Sequence, residues 1–205
     1  MPAAEKYRLL SFLFARKPHD ESVATRVHWN VGAETVWSRL LFYEEVPGKP
    51  PLLLRTLLPR PVRTEGGKTR PGETVHCIYH GGELLKRITA VEPPHLVHFE
   101  VIKQRLGIEG CVLTLGGSYE LHPCGDGTDL ALRTNYRAYL RPRCLWRRVE
   151  ALLVSQLHGH ILRGVRAGLP VADRAVRAAR ADPLQAQRSA AGGFACTVSL
   201  SRFRR

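Results

Sequence analysis

Long apolar runs are missing from this chain of 205 residues. No window approaches the ~18 consecutive apolar residues that a membrane span requires, so no stretch reads as a transmembrane helix. The short run at 9–15 follows Lys6 and Arg8 as a signal peptide would. Arg16-Lys17-Pro18, however, stand where a small-residue cleavage site belongs. Residues 1–20 are therefore expected to form a lead-in. Cysteines at metal-binding spacing are missing too. The five present (Cys77, Cys111, Cys124, Cys144 and Cys196) are odd in number and contain no C-x-x-C. That argues against a disulfide framework and a zinc ribbon, and points to a reduced, cytoplasmic setting.

Acidic residues are scarce in one region only. Residues 141–205 hold 13 Arg against Glu150, Asp173 and Asp182, a balance of +10, whereas residues 1–140 hold 18 Lys and Arg against 15 acids, a balance of +3. The net charge of +13 thus belongs to the last third. A basic end can meet anionic lipid or nucleic acid. Arginine outnumbers lysine 25 to 6, and a compositional drift towards Arg accounts for the basicity without any such partner.

What is present reads as one domain with a tail. A strand is expected over 22–30, where Val23, Thr25, Val27 and Trp29 alternate with more polar neighbours. Gly32 breaks it, and 33–42 has helical spacing, with Val36, Leu40 and Tyr43 on one face. Residues 46–72 are punctuated by six prolines and four glycines and read as a long connection containing an extended apolar piece, 52–58. Strands follow over 74–80, 84–91, 96–103, 108–121 and 128–140, joined by turn chemistry, an antiparallel meander. In the last hairpin Leu121 faces Leu130, hence Tyr119 faces Leu132 and Leu115 faces Tyr136. Both apolar sets then share one face. The period changes to 3.6 over 145–162, where Leu145, Trp146, Val149, Leu152, Leu153 and Leu157 cluster, which predicts burial of Trp146, as of Trp37 on the first helix. Residues 170–205 form an Ala/Arg-rich tail without core periodicity, expected to be largely disordered.

Several motifs are decoys. Gly67-Lys68-Thr69 imitates the end of a phosphate-binding loop, but Val62 stands where its first glycine is needed and Pro71-Gly72 where its helix must start. Gly116-Gly117-Ser118-Tyr119-Glu120 lacks the second glycine of a nucleophile elbow. Nine histidines invite a metal, yet His76 and His80 would lie roughly 13 Å apart on a strand, and His158 and His160 ~200° apart on a helix. No metal site and no cofactor are expected.

Polar groups do stand where apolar ones belong. Tyr119, Thr134 and Tyr136 fall on the inward face of the last hairpin, and Gln156 and His160 inside the apolar sector of the long helix. In a filled core each would need a backbone partner. A cavity holding a polar-headed ligand would also satisfy them.

The order strand, helix, long connection, meander, long helix resembles the SRPBCC or helix-grip superfamily. That group includes START-type lipid-transfer domains, birch-pollen-allergen-like proteins and polyketide cyclase/dehydrases. Val31-Gly32-Ala33-Glu34-Thr35-Val36-Trp37 is similar to the lead into its first helix. Ile88-Thr89-Ala90-Val91-Glu92-Pro93-Pro94-His95-Leu96-Val97 resembles its strand-PP-strand corner, and Gly127-Thr128-Asp129-Leu130 through Tyr136 its last strand. One departure is Phe42-Tyr43-Glu44-Glu45, in place of the family's Asp and Trp beside the cavity mouth. The resemblance covers residues 22–165. It implies an α+β helix-grip fold over 21–169, in which a curved antiparallel sheet wraps a long C-terminal helix with a hydrophobic cavity between them.

Three functional expectations follow. The first is binding or carriage of a lipid-like or polyketide-like molecule. Phe99, Val101, Leu113, Leu115, Leu132 and Leu153 would form the walls, Gly117 would leave room, and Tyr119, Thr134, Tyr136, Gln156 and His160 would orient the ligand. The second is a cyclase or dehydratase in which His160 or a tyrosine moves protons. The third is membrane-surface or nucleic-acid association through Arg143, Arg147, Arg148, Arg163 and Arg166. No specific nucleic acid is implied, and weak contact with anionic membrane is the form expected of that third class.

Overall fold

The computed structural model describes residues 14–169, and side chains from Pro18 onward. The expected tail, 170–205, lies outside the described residues. Seven strands, β1 (Phe14–Trp29), β2 (Pro61–Gly66), β3 (Thr74–Tyr79), β4 (Gly82–Glu92), β5 (Leu96–Arg105), β6 (Val112–Cys124) and β7 (Gly127–Leu140), form one antiparallel sheet of order β1-β7-β6-β5-β4-β3-β2. Three helices accompany it: α1 (Ala33–Trp37), α2 (Leu52–Leu57) and the long α3 (Arg143–Ala167). A 3-10 turn spans Tyr43–Glu45. None of the described helices is long and apolar enough to cross a membrane. This is the helix-grip arrangement: an unclosed curved sheet with the C-terminal helix packed on β1 and β7.

The meander follows from alternation and turns. Leu121 faces Leu130 and Tyr119 faces Leu132. All four are buried, as a period of 2 with one covered face requires.

The expected connection 46–72 also holds β2, which pairs with β3, and four other departures from the sequence expectation in the strands and short helices have physical causes. First, β1 starts at Phe14, so residues 14–20 belong to the sheet and not to a lead-in. β7 is long enough to pair with them, and Arg137 holds Asp20 at 2.7 Å and 3.0 Å. Second, α1 stops at Trp37, well short of 42. The carbonyls of Leu40 and Leu41 instead accept from Lys68 Nζ (3.0 Å) and Tyr119 Oη (2.9 Å), tertiary donors that replace helical ones. Third, 52–58 is mostly the helix α2 and not an extended piece. Pro51 precedes it and Pro59 follows it, placements that start and stop a helix.

The fourth departure is a β-bulge between Thr114 and Gly116. Tyr136 therefore faces Thr114, not Leu115. One extra residue swaps the faces of everything before it in β6. Gly116 takes φ +154 there, and a Cβ on it would meet the Phe99 carbonyl oxygen at 2.3 Å, so the bulge needs glycine.

The long helix is also rotated from its expected face. Leu145 and Leu152 are exposed, and Trp146 is half-buried, as is Trp37. The buried residues are Glu150, His158, His160, Ile161, Leu162 and Val165, with Leu153, Val154 and Leu157 beside them, so His160 is buried as expected. That stripe keeps helical spacing. It was hidden because three of the buried residues, Glu150, His158 and His160, are polar.

Candidate functional site

Between the sheet and α3 lies a cavity of about 190 Å³. One water needs only ~10–15 Å³, so this is space for an organic molecule. Leu54, Leu57 and Leu58 close one side, Leu84, Phe99 and Leu132 form the floor, and Leu153, Val154, Leu157 and Ile161 the roof. Leu106, Ile108 and Val112 complete the wall.

Two polar groups interrupt this apolar lining. At the first, the 3-10 turn brings Glu44 against β3 and β4. Its carboxylate accepts from Tyr79 Oη at 2.5 Å and from Lys86 Nζ at 2.7 Å. Both charged side chains are almost fully buried. Burial alone would raise the Glu44 carboxyl, but Lys86 and the Tyr79 hydroxyl outweigh it and hold it below the ordinary carboxylate range. Burial likewise pulls Lys86 down, and the charge of Glu44 more than restores it. The pair is therefore ionised. Burial, then Glu44, pushes Tyr79 well above its usual value, so it stays protonated and donates. The Lys86 ammonium also sits 4.4 Å from the Phe42 ring centroid, a cation–π contact. Glu44 is its one carboxylate partner among the described residues, and the buried Cys77 thiol lies beside the pair and interacts with both members. An ammonium has three donors, and Glu44 takes one of them.

The turn carrying Glu44 is held by its neighbour. Glu45 accepts from the Phe42 backbone N–H at 2.6 Å and from Lys68 Nζ at 2.5 Å. Lys68, the lysine of the rejected phosphate-loop motif, is thus a strut behind the site.

The second polar group lies on β1, β7 and α3. His158 meets Thr134 Oγ1 through Nε2 and Thr25 Oγ1 through Nδ1, both at 2.9 Å. Burial lowers its pKa to about 4, so the ring is neutral. A neutral imidazole donates at one nitrogen and accepts at the other, and two hydroxyls suit either tautomer. Nearby, Arg143 forms a fork of two 2.8 Å bonds with Glu150 and reaches Glu21 at 3.1 Å. Burial raises the Tyr136 hydroxyl to about 12. Among the described residues no cluster of His, Cys, Asp and Glu could hold a metal ion.

Of the residues singled out from sequence, the structure brings Phe99, Tyr119, Leu132, Thr134, Tyr136 and Leu153 to the cavity. Val101, Leu113, Leu115, Gly117, Gln156 and His160 are not among its lining residues. The bulge removes Leu113 and Leu115 and substitutes Val112 and Thr114. Gly117 faces inward, but the Phe99 ring lies over it, 3.0 Å from where a Cβ would be. His160 packs instead edge-on against Tyr43, ring centroids 5.8 Å apart. Gln156 is half-buried beside the stripe. Sequence reasoning missed Glu44, Tyr79, Lys86, Glu150 and His158. A lysine at an inward strand position, Lys86, was the one available signal.

The chain matches no family model, and no curated protein sequence matches it significantly. Solved structures do match. The Zhui aromatase/cyclase from Streptomyces sp. R1128 is 19% identical, with a TM-score of 0.51 over 78% of this chain and 98% of that one. Norcoclaurine synthase from Thalictrum flavum is 15% identical, with a TM-score of 0.50 over 81% of this chain and 99% of that one. A protein from Nitrosospira multiformis is 14% identical, with a TM-score of 0.50 over 75% of this chain and 99% of that one. At these identities the likeness is one of fold. The protein has the helix-grip fold these structures share, with a cavity between the sheet and the C-terminal helix.

Proposed function

We propose that the protein binds an apolar small molecule carrying one polar acceptor group, and acts as its carrier. The observation behind this reading is an apolar cavity lined at one point by a buried ammonium, Lys86, of whose three donors its carboxylate partner Glu44 takes one. A ligand carbonyl, hydroxyl or carboxylate would accept from it, while the hydrocarbon part replaces water along the leucine walls. Apolar burial supplies most of the affinity and the single polar contact supplies orientation.

An enzymatic reading draws on His158 and the two fold neighbours named as a synthase and an aromatase/cyclase. A neutral imidazole bonded to the cavity-lining Thr134 could pass a proton through that hydroxyl. The carrier reading is favoured because both His158 nitrogens are already engaged.

The test is a pair of fluorescent probes, diphenylhexatriene and cis-parinaric acid, titrated into the protein. Micromolar binding of both, about −8 kcal/mol, is expected. Val154→Trp, which projects bulk into the cavity, should abolish both while leaving the far-UV circular dichroism unchanged. The neutralised pair Glu44→Gln/Lys86→Met should weaken only the carboxylate probe, by about tenfold or more. No binding by wild type, or unaltered binding in Val154→Trp, defeats the reading.

A further inference from the structure

The short helix α2 is apolar on both sides. Positions 52–58 hold five leucines. Leu54 is buried and Leu58 lines the cavity, yet Leu52 is 72% exposed, Leu57 49% and nearby Val62 61%. Arg55 and Thr56 take only part of the exposed side, and an exposed apolar patch of this kind marks a surface that meets something. Leu57 is both exposed and part of the lining, so α2 sits at the mouth of the cavity.

The charge around this patch says what it meets. Between residues 46 and 63 there are four cations, Lys49, Arg55, Arg60 and Arg63, and no Asp or Glu. All four are exposed. Arg63 pairs with Glu65 at 2.9 Å. Among the described residues no carboxylate forms a salt bridge with Lys49, Arg55 or Arg60. Exposed leucines flanked by cations, three of them without a salt bridge among the described residues, match the chemistry of a bilayer surface bearing anionic headgroups, where the apolar face enters the acyl boundary and the cations meet phosphate or carboxylate.

We propose that α2, with Val62 and the flanking cations, docks the protein on an anionic lipid bilayer and turns the cavity mouth towards the membrane. The ligand can then exchange between bilayer and cavity without crossing water. The inference rests on the carrier reading for its purpose, but docking and ligand binding are measured separately. It places the membrane contact on α2, not on the arginines of the last third.

The experiment is co-sedimentation of the full chain with vesicles of phosphatidylcholine containing about 30% phosphatidylserine, and with pure phosphatidylcholine. Binding to the anionic vesicles alone, weakening with salt, is expected. Leu52→Gln/Leu53→Gln, two positions outside the cavity lining, should reduce it at least about tenfold. Arg55→Glu/Arg60→Glu should reduce it roughly thirtyfold. Both variants should still bind diphenylhexatriene in solution. If the leucine variant misfolds by circular dichroism, the arginine variant decides alone. Failure of wild type to bind anionic vesicles overturns the proposal, as does binding that survives in both variants. A concentration-dependent dimer lost in the leucine variant, with vesicle binding retained, assigns the patch to a second copy of the chain and also overturns it. Vesicle docking without probe binding upholds this surface and defeats the carrier reading instead.

Discussion

The two polar groups bordering the cavity solve the same problem in opposite ways. At Glu44, Lys86 and Tyr79, burial is tolerated because charge is matched by charge, and the ion pair is worth keeping only while both members are present. At His158, Thr25 and Thr134, burial is tolerated because charge is absent, the imidazole being neutral and bonded at both nitrogens. The first group presents donors of fixed polarity to the cavity. The second can donate or accept, according to its tautomer. On the proposed carrier reading the charged group would favour a ligand acceptor, whereas the neutral group, engaged at both nitrogens, would impose no such preference.

That contrast can be broken most forcefully at Lys86. Lys86→Met leaves the Glu44 carboxylate buried without its cation, and should cost about 3–5 kcal/mol in chemical denaturation at pH 7. The unpaired carboxyl would then be raised by burial and take up a proton more readily, so the deficit should shrink as pH falls. A loss independent of pH would show that Glu44 is hydrated, not dry.

The neutral group should respond to pH in the opposite direction. His158 is depressed from 6.5 to about 4, so the unfolded chain binds its proton first. The stability this provides is complete above pH 6.5 and is lost as pH falls from there through about 4. Between pH 7 and pH 5 the loss from this group should be about 2 kcal/mol. His158→Gln should flatten that part of the stability profile, and a slope that persists in the variant would place the titration elsewhere.

A smaller effect is expected from Thr25→Val, which keeps the shape but removes one partner of His158. It should cost about 1 kcal/mol by denaturation and fix the ring's tautomer through Thr134, visible as a shift in the imidazole nitrogen resonances. An unchanged spectrum would mean that Thr25 does not decide the tautomer. The smallest change is expected where the charge is removed entirely. Glu44→Gln/Lys86→Met should lie within about 1 kcal/mol of wild type. A deficit as large as that of Lys86→Met alone would mean that Lys86 is held by more than Glu44.

How much of this was legible in the sequence varies with the range of the interaction. The meander, the Leu121–Leu130 register and the long final helix follow from alternation and turn residues within about 20 positions of one another. The bulge at 114–116 did not, because one extra residue leaves the hydrophobic pattern plausible on either face. The register of a strand is a property of the pair. The stripe of α3 escaped for a related reason. Glu150 and His158 look like surface residues until Arg143 and the two threonines are placed against them.

Sequence alone determined the first strand, the meander of the strand-dense middle and the long final helix, since each is written in local periodicity and turn stereochemistry, but not α2 or β2, which lie in the stretch read as a connection. Only the tertiary structure decided the site. Lys86 lies 42 residues from Glu44, and His158 lies 133 from Thr25. Whether a buried polar side chain is a defect or a functional group depends on what stands opposite it. Desolvation is set by the whole environment, and no local pattern records which distant side chain will supply the missing charge or hydrogen bond.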